Sequence, residues 1–439
     1  MKCKRLAALI LCLVLAFSLT SCRSMSSDIS ALLTPPDPAG EMGLIKKALG
    51  TYAKTGFTLK YPETGKYQSP FVVQDIDSDL INEAFAFYST TTDHVVTLHI
   101  AYIRNVDGKW VTVNDNSLIA TGVEQILFSD MDNDGTSEII VGWNVFGTAD
   151  RQVAIYSVAD GTLTQRLLEK YSGFLICDLD GNSKNELFIN YHNISEKTAT
   201  ARLFSLTEQG VTEIANCPLD ASVTQHSLPQ ISKANNQSAI FIDAQKGTGM
   251  LTEVIVFNEA TLSSIFYDPL TKETAATYRN SSITSRDFDS DGSIDIPVMK
   301  VLPTAEQLTD SERAYITEWS SVESSALTPK VRTIMNYTDG YYLLLPDYLS
   351  EENITLTRKI SSRLRIIYLW DKQDNMALNE IFRVQLVSET EWDSPDYDRA
   401  GFTEITRQDG TVYTASININ PEYNPITDEH LKQMLKLIG

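Results

Sequence analysis

Four stretches of the chain repeat one nine-residue frame with oxygen-bearing side chains at positions 1, 3, 5 and 9. They are Asp75-Ile-Asp77-Ser-Asp79-Leu-Ile-Asn-Glu83, Asp130-Met-Asp132-Asn-Asp134-Gly-Thr-Ser-Glu138, Asp178-Leu-Asp180-Gly-Asn182-Ser-Lys-Asn-Glu186 and Asp287-Phe-Asp289-Ser-Asp291-Gly-Ser-Ile-Asp295. Their first aspartates follow one another at 55, 48 and 109 residues, so the last step spans about two units. A degenerate copy is therefore expected near residue 231, and residues 229–242 align there with Ile231, Lys233 and Ala239 in place of acids. Self-similarity at about 50 residues marks stacked or radial repeats, in which each unit buries its apolar face on the next.

The frames sit between strand-like runs. Leu127-Phe128 and Leu175-Ile176 precede them; Ala84–Tyr88, Ile139–Trp143 and Leu187-Phe-Ile189 follow. Further β-like pieces at 152–158 and 163–168 complete about four strands per unit. Five such units, with an incomplete sixth closing the ring, predict a mainly β fold. The expectation is a β-propeller of about five or six four-stranded blades over residues 41–346, because radial closure removes open sheet edges.

The loop chemistry points to a hard cation. Aspartates at alternating positions converge on one point, where their repulsion is unfavourable unless a positive charge sits between them. Glycine at position 6, as Gly135 and Gly292, supplies a sharp turn, and the position-7 carbonyl with the position-9 carboxylate completes an oxygen cage of the size Ca²⁺ prefers. The candidate ligands are Asp75, Asp77, Asp79, Ile81 and Glu83; Asp130, Asp132, Asp134, Thr136 and Glu138; Asp178, Asp180, Asn182, Lys184 and Glu186; and Asp287, Asp289, Asp291, Ser293 and Asp295, giving up to four Ca²⁺ sites of mainly structural role. Position 7 contributes only its backbone carbonyl. The second and fourth loops match the frame best, whereas Leu80 holds the glycine position in the first and Asn182 lowers the charge of the third. An EF-hand would need flanking helices and a glutamate at position 12, where Val141 and Val298 stand. The Asp-x-Asp-x-Asp-Gly loops between strands resemble the FG-GAP and VCBS repeat families over about residues 57–345. That resemblance implies calcium-binding propeller blades.

At the other extreme of the chain, Lys2, Lys4 and Arg5 precede an apolar run over residues 6–19, too short to span a bilayer and suited to a signal segment. The run ends in Leu19-Thr20-Ser21-Cys22, which resembles the bacterial lipobox. Residues 1–21 would then be removed and Cys22 acylated, anchoring the chain at the extracytoplasmic face of the cell membrane. Residues 22–40 form a tether ending in Pro35-Pro36-Asp37-Pro38, and Leu44, Ile45, Ala48, Leu49 and Tyr52 recur at helical spacing behind it. A formal charge of −21 argues against nucleic acid as a partner, since phosphates are bound by a basic surface. Cys177 and Cys217 are either a disulfide, permitted outside the cytoplasm, or two buried thiols.

No acidic frame follows Pro346. Residues 347–439 read as a small α+β domain with strands at 354–356, 364–370, 381–387 and 412–419 and a final helix capped by Thr427, with Ile426 and Leu431 as a hydrophobic staple and Leu431, Met434, Leu435 and Ile438 as its buried stripe. The acidic loop at 389–398 carries Trp392 and Tyr397 and either grips a sugar or cationic ligand or is simply a solvated loop. No nucleophile elbow, zincin or phosphate-loop motif is present, and His94, His99, His192, His226 and His430 are scattered. The order of parts resembles lipoproteins of clostridia-like Gram-positive bacteria, from which no activity follows. The expected function is a lipid-anchored, calcium-stabilised binding or scaffold module facing an envelope glycan or protein. The alternative is an envelope hydrolase or lyase acting on glycan or peptide.

Overall fold

The computed structural model describes residues 40–54, 56–145, 151–207, 209–309, 312–418 and 426–438; the signal segment, Cys22 and the tether to residue 39 lie outside them. The described chain is dominated by six antiparallel sheets that follow one another in sequence. The second and third are simple four-stranded meanders: Gly122–Ser129, Glu138–Asn144, Arg151–Ala159 and Thr162–Tyr171, then Gly173–Cys177, Glu186–Asn193, Thr198–Thr207 and Gly210–Pro218. The first sheet pairs both Phe57–Leu59 and Phe71–Gln74 with Glu83–Thr92, and continues through Val95–Val106 and Lys109–Leu118. In the fourth, Gln225–His226 and Gln230–Ala234 both pair with one edge of Gln237–Lys246, whose other edge pairs with Gly249–Asn258, followed by Thr261–Ser264.

Alternation along the strand after each loop explains how the sheets pack. Side chains on a strand point to opposite faces in turn. Thus Phe85 and Phe87 share a core with Ile139, Val141 and Trp143 of the second sheet, while Ala84, Ala86 and Tyr88 meet Ile45 and Leu49 of the helix Glu41–Ala53. One residue out of phase, Ile140 joins Leu187 and Ile189 of the third sheet. Phe188 then joins Ile240 and Ile242 of the fourth, whose Ala239 and Phe241 meet Ile296 of the fifth. These strands read as near-continuous apolar runs because both of their faces are covered. Each fully buried Phe or Ile contributes about 1.5–3 kcal/mol to that packing. Of the expected helical stripe, Ile45 and Leu49 are buried, but Leu44 and Tyr52 are exposed.

The degenerate unit shows what becomes of the frame without acids. Gln230–Ala234 and Gln237–Lys246 are joined by Asn235-Asn236, both at positive φ (53° and 61°), as a two-residue type I′ hairpin demands. A tight turn replaces the nine-residue loop.

The fifth sheet comprises Ile296–Val301, Tyr315–Glu323, Ala326–Asn336 and Tyr341–Leu345; the sixth comprises Ile354–Lys359, Leu364–Asp371, Met376–Ser388, Thr411–Ile417 and Thr403–Gln408. Their faces share one core that runs from Leu302 and Ile334 through Phe382 to Leu435, so residue 346 falls inside a common apolar unit. Thr427 caps the final helix as expected, accepting from the His430 N–H, and Ile426 and Leu431 are buried. The helix is shorter than its apolar stripe: it spans Asp428–Met434, and Leu435–Leu437 is a strand on Tyr341–Leu345. Pairing there covers an edge that would otherwise present unpaired backbone groups, which outweighs one more helical turn. The strand Thr403–Gln408 was not expected, because it carries only one apolar side chain, Ile405.

Candidate metal-binding loops

All four acidic loops hang from the same rung. The residue before the first aspartate pairs with the ninth-position acid: Gln74 with Glu83, Ser129 with Glu138, Cys177 with Glu186 and, as an isolated bridge, Arg286 with Asp295. Above the rung the backbone closes on its own carboxylates in one pattern. The position-6 N–H donates to the position-1 carboxylate: Leu80 to Asp75 Oδ2 at 3.0 Å, Gly135 to Asp130 at 3.1 Å, Ser183 to Asp178 at 2.9 Å and Gly292 to Asp287 at 2.9 Å. The position-5 N–H donates to position 3, and the N–H of Ile81, Thr136, Lys184 and Ser293 at position 7 donates to Asp79, Asp134, Asn182 and Asp291.

This turn needs two left-handed residues, of which the sequence reading found one. Position 6 has positive φ in every loop, including Leu80 at 69° and Ser183 at 68°. Position 4 does as well: Ser78, Asn133, Gly181 and Ser290 lie between 59° and 77°. Leu80 therefore adopts the strained conformation rather than distorting the loop, and its side chain is 92% exposed.

In the first three loops the carboxylates at positions 1, 3 and 9 bring one oxygen each within 4.8 Å of one another: Asp75, Asp77 and Glu83; Asp130, Asp132 and Glu138; Asp178, Asp180 and Glu186. Asp79 and Asp134 stand outside this grouping. The ninth-position acid is buried in every loop and accepts the position-2 N–H, as Glu83 does from Ile76, Glu138 from Met131, Glu186 from Leu179 and Asp295 from Phe288. Burial, followed by the charge of neighbouring aspartates, pushes Glu138 and Glu186 up to about 7 and raises Glu83 and Asp295 as well. Asp75 Oδ1 and Asp130 Oδ1 are buried without a hydrogen-bond partner. A buried anionic oxygen left unpaired is costly, and a cation between the three carboxylates satisfies it. The residues of the first two loops thus fit a bound cation. In the third loop the corresponding oxygen, Asp178 Oδ1, already accepts from the N–H groups of Gly181 and Asn182.

The fourth loop differs. Lys330, from the strand Ala326–Asn336, places its ammonium 2.8 Å from Asp289 Oδ2, 2.5 Å from Asp291 Oδ2 and 3.5 Å from Asp295 Oδ1. The hydrogen bond from Lys330 holds Asp291 below its ordinary range. Here the close carboxylates are Asp287, Asp289 and Asp291, and Asp295 is not among them. Sequence gave no signal for Lys330, which lies 39 residues from Asp291.

Neighbouring loops are tied together. Ser137 N donates to Ile76 O at 2.7 Å; Lys184 Nζ donates to Asp132 O at 3.0 Å, and Asn133 Nδ2 to Ser183 O at 3.3 Å. The first three loops therefore form one continuous edge.

Trp392, Cys177, Cys217 and His99 are each tied into the surrounding structure. Trp392 is buried, donates to Glu404 Oε2 at 2.9 Å and lies beneath the guanidinium of Arg399. It is not free to stack on a ligand. Cys177 and Cys217 are free buried thiols in one core, both pushed up to about 12 by burial. His99 bridges Thr90 and Asp115, whose carboxylate also accepts from Tyr88 and from Tyr52 of the N-terminal helix.

No family model matches the chain, and no curated protein matches it in sequence. Among solved structures it is similar to the exotype rhamnogalacturonan lyase YesX, with a TM-score of 0.30 and 9% identity over 82% of this chain and 91% of that one. The rhamnogalacturonan lyase PL11 of Bacillus licheniformis aligns with a TM-score of 0.30 and 10% identity over 82% and 91%. The Dos1 propeller aligns with a TM-score of 0.22 and 11% identity over 83% and 81%. Likenesses this low say nothing of activity.

Proposed function

We propose that the chain is a lipid-anchored, calcium-stabilised β-propeller that serves as a binding or scaffold module on the bacterial cell envelope. The observation that carries this reading is the recurrence of one loop geometry, with partnerless carboxylate oxygens at Asp75 and Asp130. Ca²⁺ suits these loops because it accepts six to eight oxygens in flexible geometry, whereas Mg²⁺ demands a tight octahedron. The carboxylates at positions 1, 3 and 9 would hold the ion, with the position-5 side chain and the position-7 carbonyl completing its shell. The ion would then neutralise three converging charges and pin the connection between two strands in each of the first three sheets. Successive sheets bury their faces on one another, and radial closure of such units would make a rigid platform whose outer loops contact partners.

The anchor rests on Leu19-Thr20-Ser21-Cys22. Wild type is expected to take up labelled fatty acid and Cys22→Ser to take up none; equal labelling removes the lipoprotein reading. The binding role is tested by capture of envelope glycans and proteins on the chain with and without EDTA. Calcium-dependent retention of a defined component supports the module, and turnover of a captured glycan or peptide would favour a hydrolase or lyase instead.

A further inference from the structure

The acidic loop that matches the repeat frame as well as any in the chain has a cation of its own making. Four sheets carry a β-bulge at one equivalent place, opposite the step between the first two rungs above the loop. The unpaired residue is Val113 in the first sheet, Arg166 in the second, Ile214 in the third and Lys330 in the fifth. A bulge re-aims the side chain of its extra residue. Among the described residues, Lys330 is the one bulge residue that makes an ion pair with a loop acid.

Two further features single out this loop. The other loops end in glutamate, and each glutamate joins the close carboxylate group; Asp295 is one methylene shorter and stands back from it. Its Oδ1 is buried with no hydrogen bond, 3.5 Å from the lysine nitrogen. The shorter acid leaves room for an ammonium between Asp289, Asp291 and Asp295. An ammonium and a Ca²⁺ ion cannot share that room, because the metal needs its oxygens at about 2.3–2.6 Å.

The geometry points to Lys330 as the resident cation of the fourth loop, a tethered ammonium that stands in for the metal and excludes calcium from the sequence Asp287-Phe-Asp289-Ser-Asp291-Gly. This inference rests on the calcium reading of the other loops. It makes the fourth acidic loop independent of the calcium supply, while the first three respond to it.

The test is calcium stoichiometry by equilibrium dialysis on the full chain in detergent, for wild type, Lys330→Met and Asp287→Asn. Lys330→Met is expected to bind one calcium more per chain than wild type, and Asp287→Asn to bind the same number as wild type. In EDTA the Lys330→Met protein should melt below wild type, because its carboxylates have lost their cation, and saturating calcium should erase the difference. An unchanged count in Lys330→Met, or one ion fewer in Asp287→Asn, overturns the inference and leaves the calcium reading of the other loops standing. Should Lys330→Met fail to fold, the Asp287→Asn count decides alone. No calcium on any of the three proteins overturns both.

Discussion

Glu138, sealed at the ninth position of the second loop, accepts the backbone N–H of Met131 at 2.9 Å. The same carboxylate faces Asp130 and Asp132 within 4.8 Å. It is therefore a good metal ligand and a poor lone anion. Without metal at pH 8, a folded-state value near 7 against 4.5 makes its ionisation cost about 2–4 kcal/mol of stability. Glu138→Gln keeps an oxygen for Met131 and removes the charge. The variant is expected to melt higher than wild type in EDTA and to lose most of the calcium increment of that loop. Differential scanning calorimetry in both media checks the crossover; a variant less stable in both would show that the carboxylate acts through packing alone.

Asp130 and Asp178 occupy the same position with different surroundings. Asp130 Oδ1 has no partner, whereas Asp178 Oδ1 accepts two backbone N–H groups. Asp130→Asn should therefore remove more calcium-dependent stability than Asp178→Asn, by up to about 1.4 kcal/mol, the value of one site with calcium tenfold above its dissociation constant. Calorimetric titration of the two variants measures it, and a larger loss from Asp178→Asn would reverse the ranking.

Backbone conformation gives a metal-independent test. Gly135 has φ of 92° and open space where a Cβ would stand, so Gly135→Ala carries conformational strain without a clash, about 1–2 kcal/mol. Leu80 meets the same demand with a side chain in solvent. Leu80→Gly relieves that strain against a loss of about 0.5–1 kcal/mol from greater unfolded-state freedom. It should be neutral to mildly stabilising in EDTA. A marked destabilisation would mean that Leu80 makes contacts of consequence.

Proton and calcium compete for the ninth-position acids. Their folded-state values are raised, Glu138 and Glu186 to about 7. Between about 4.5 and 7 the folded state without metal binds more protons than the unfolded state, so their contribution is fully present below about 4.5 and is lost as pH rises through 7. Calcium requires the deprotonated form. The calcium increment in melting temperature is expected to be larger at pH 8 than at pH 5.5, and melting curves at the two values decide it; equal increments would place these glutamates outside the metal shell.

Much of the fold was legible because it is local. The nine-residue frame announced four turns, and the apolar runs beside it announced the strands from Glu83, Glu138 and Glu186 onward. What escaped the reading is set by distance. Lys330 reaches the fourth loop through a bulge that no pattern in 326–336 declares. Leu435 continues an apolar helical stripe, yet forms a strand because the edge of Tyr341–Leu345 lies open beside it. Trp392 looked like a surface aromatic in an acidic loop, and only its bond to Glu404 shows why it is inside. The left-handed residue at position 4 was hidden because Ser78, Asn133 and Ser290 tolerate a conformation that glycine would have advertised.

The central claim is that the loops bind calcium and that calcium holds the sheets' connections. It is tested most directly by the thermal unfolding of the full chain as calcium is raised from an EDTA-buffered solution. With calcium tenfold above its dissociation constant each site contributes about 1.4 kcal/mol, so two or three sites give about 3–4 kcal/mol. The account predicts a melting temperature that rises by several degrees, saturates, returns with EDTA and responds less to magnesium. A melting curve that is the same in calcium and in EDTA would contradict it.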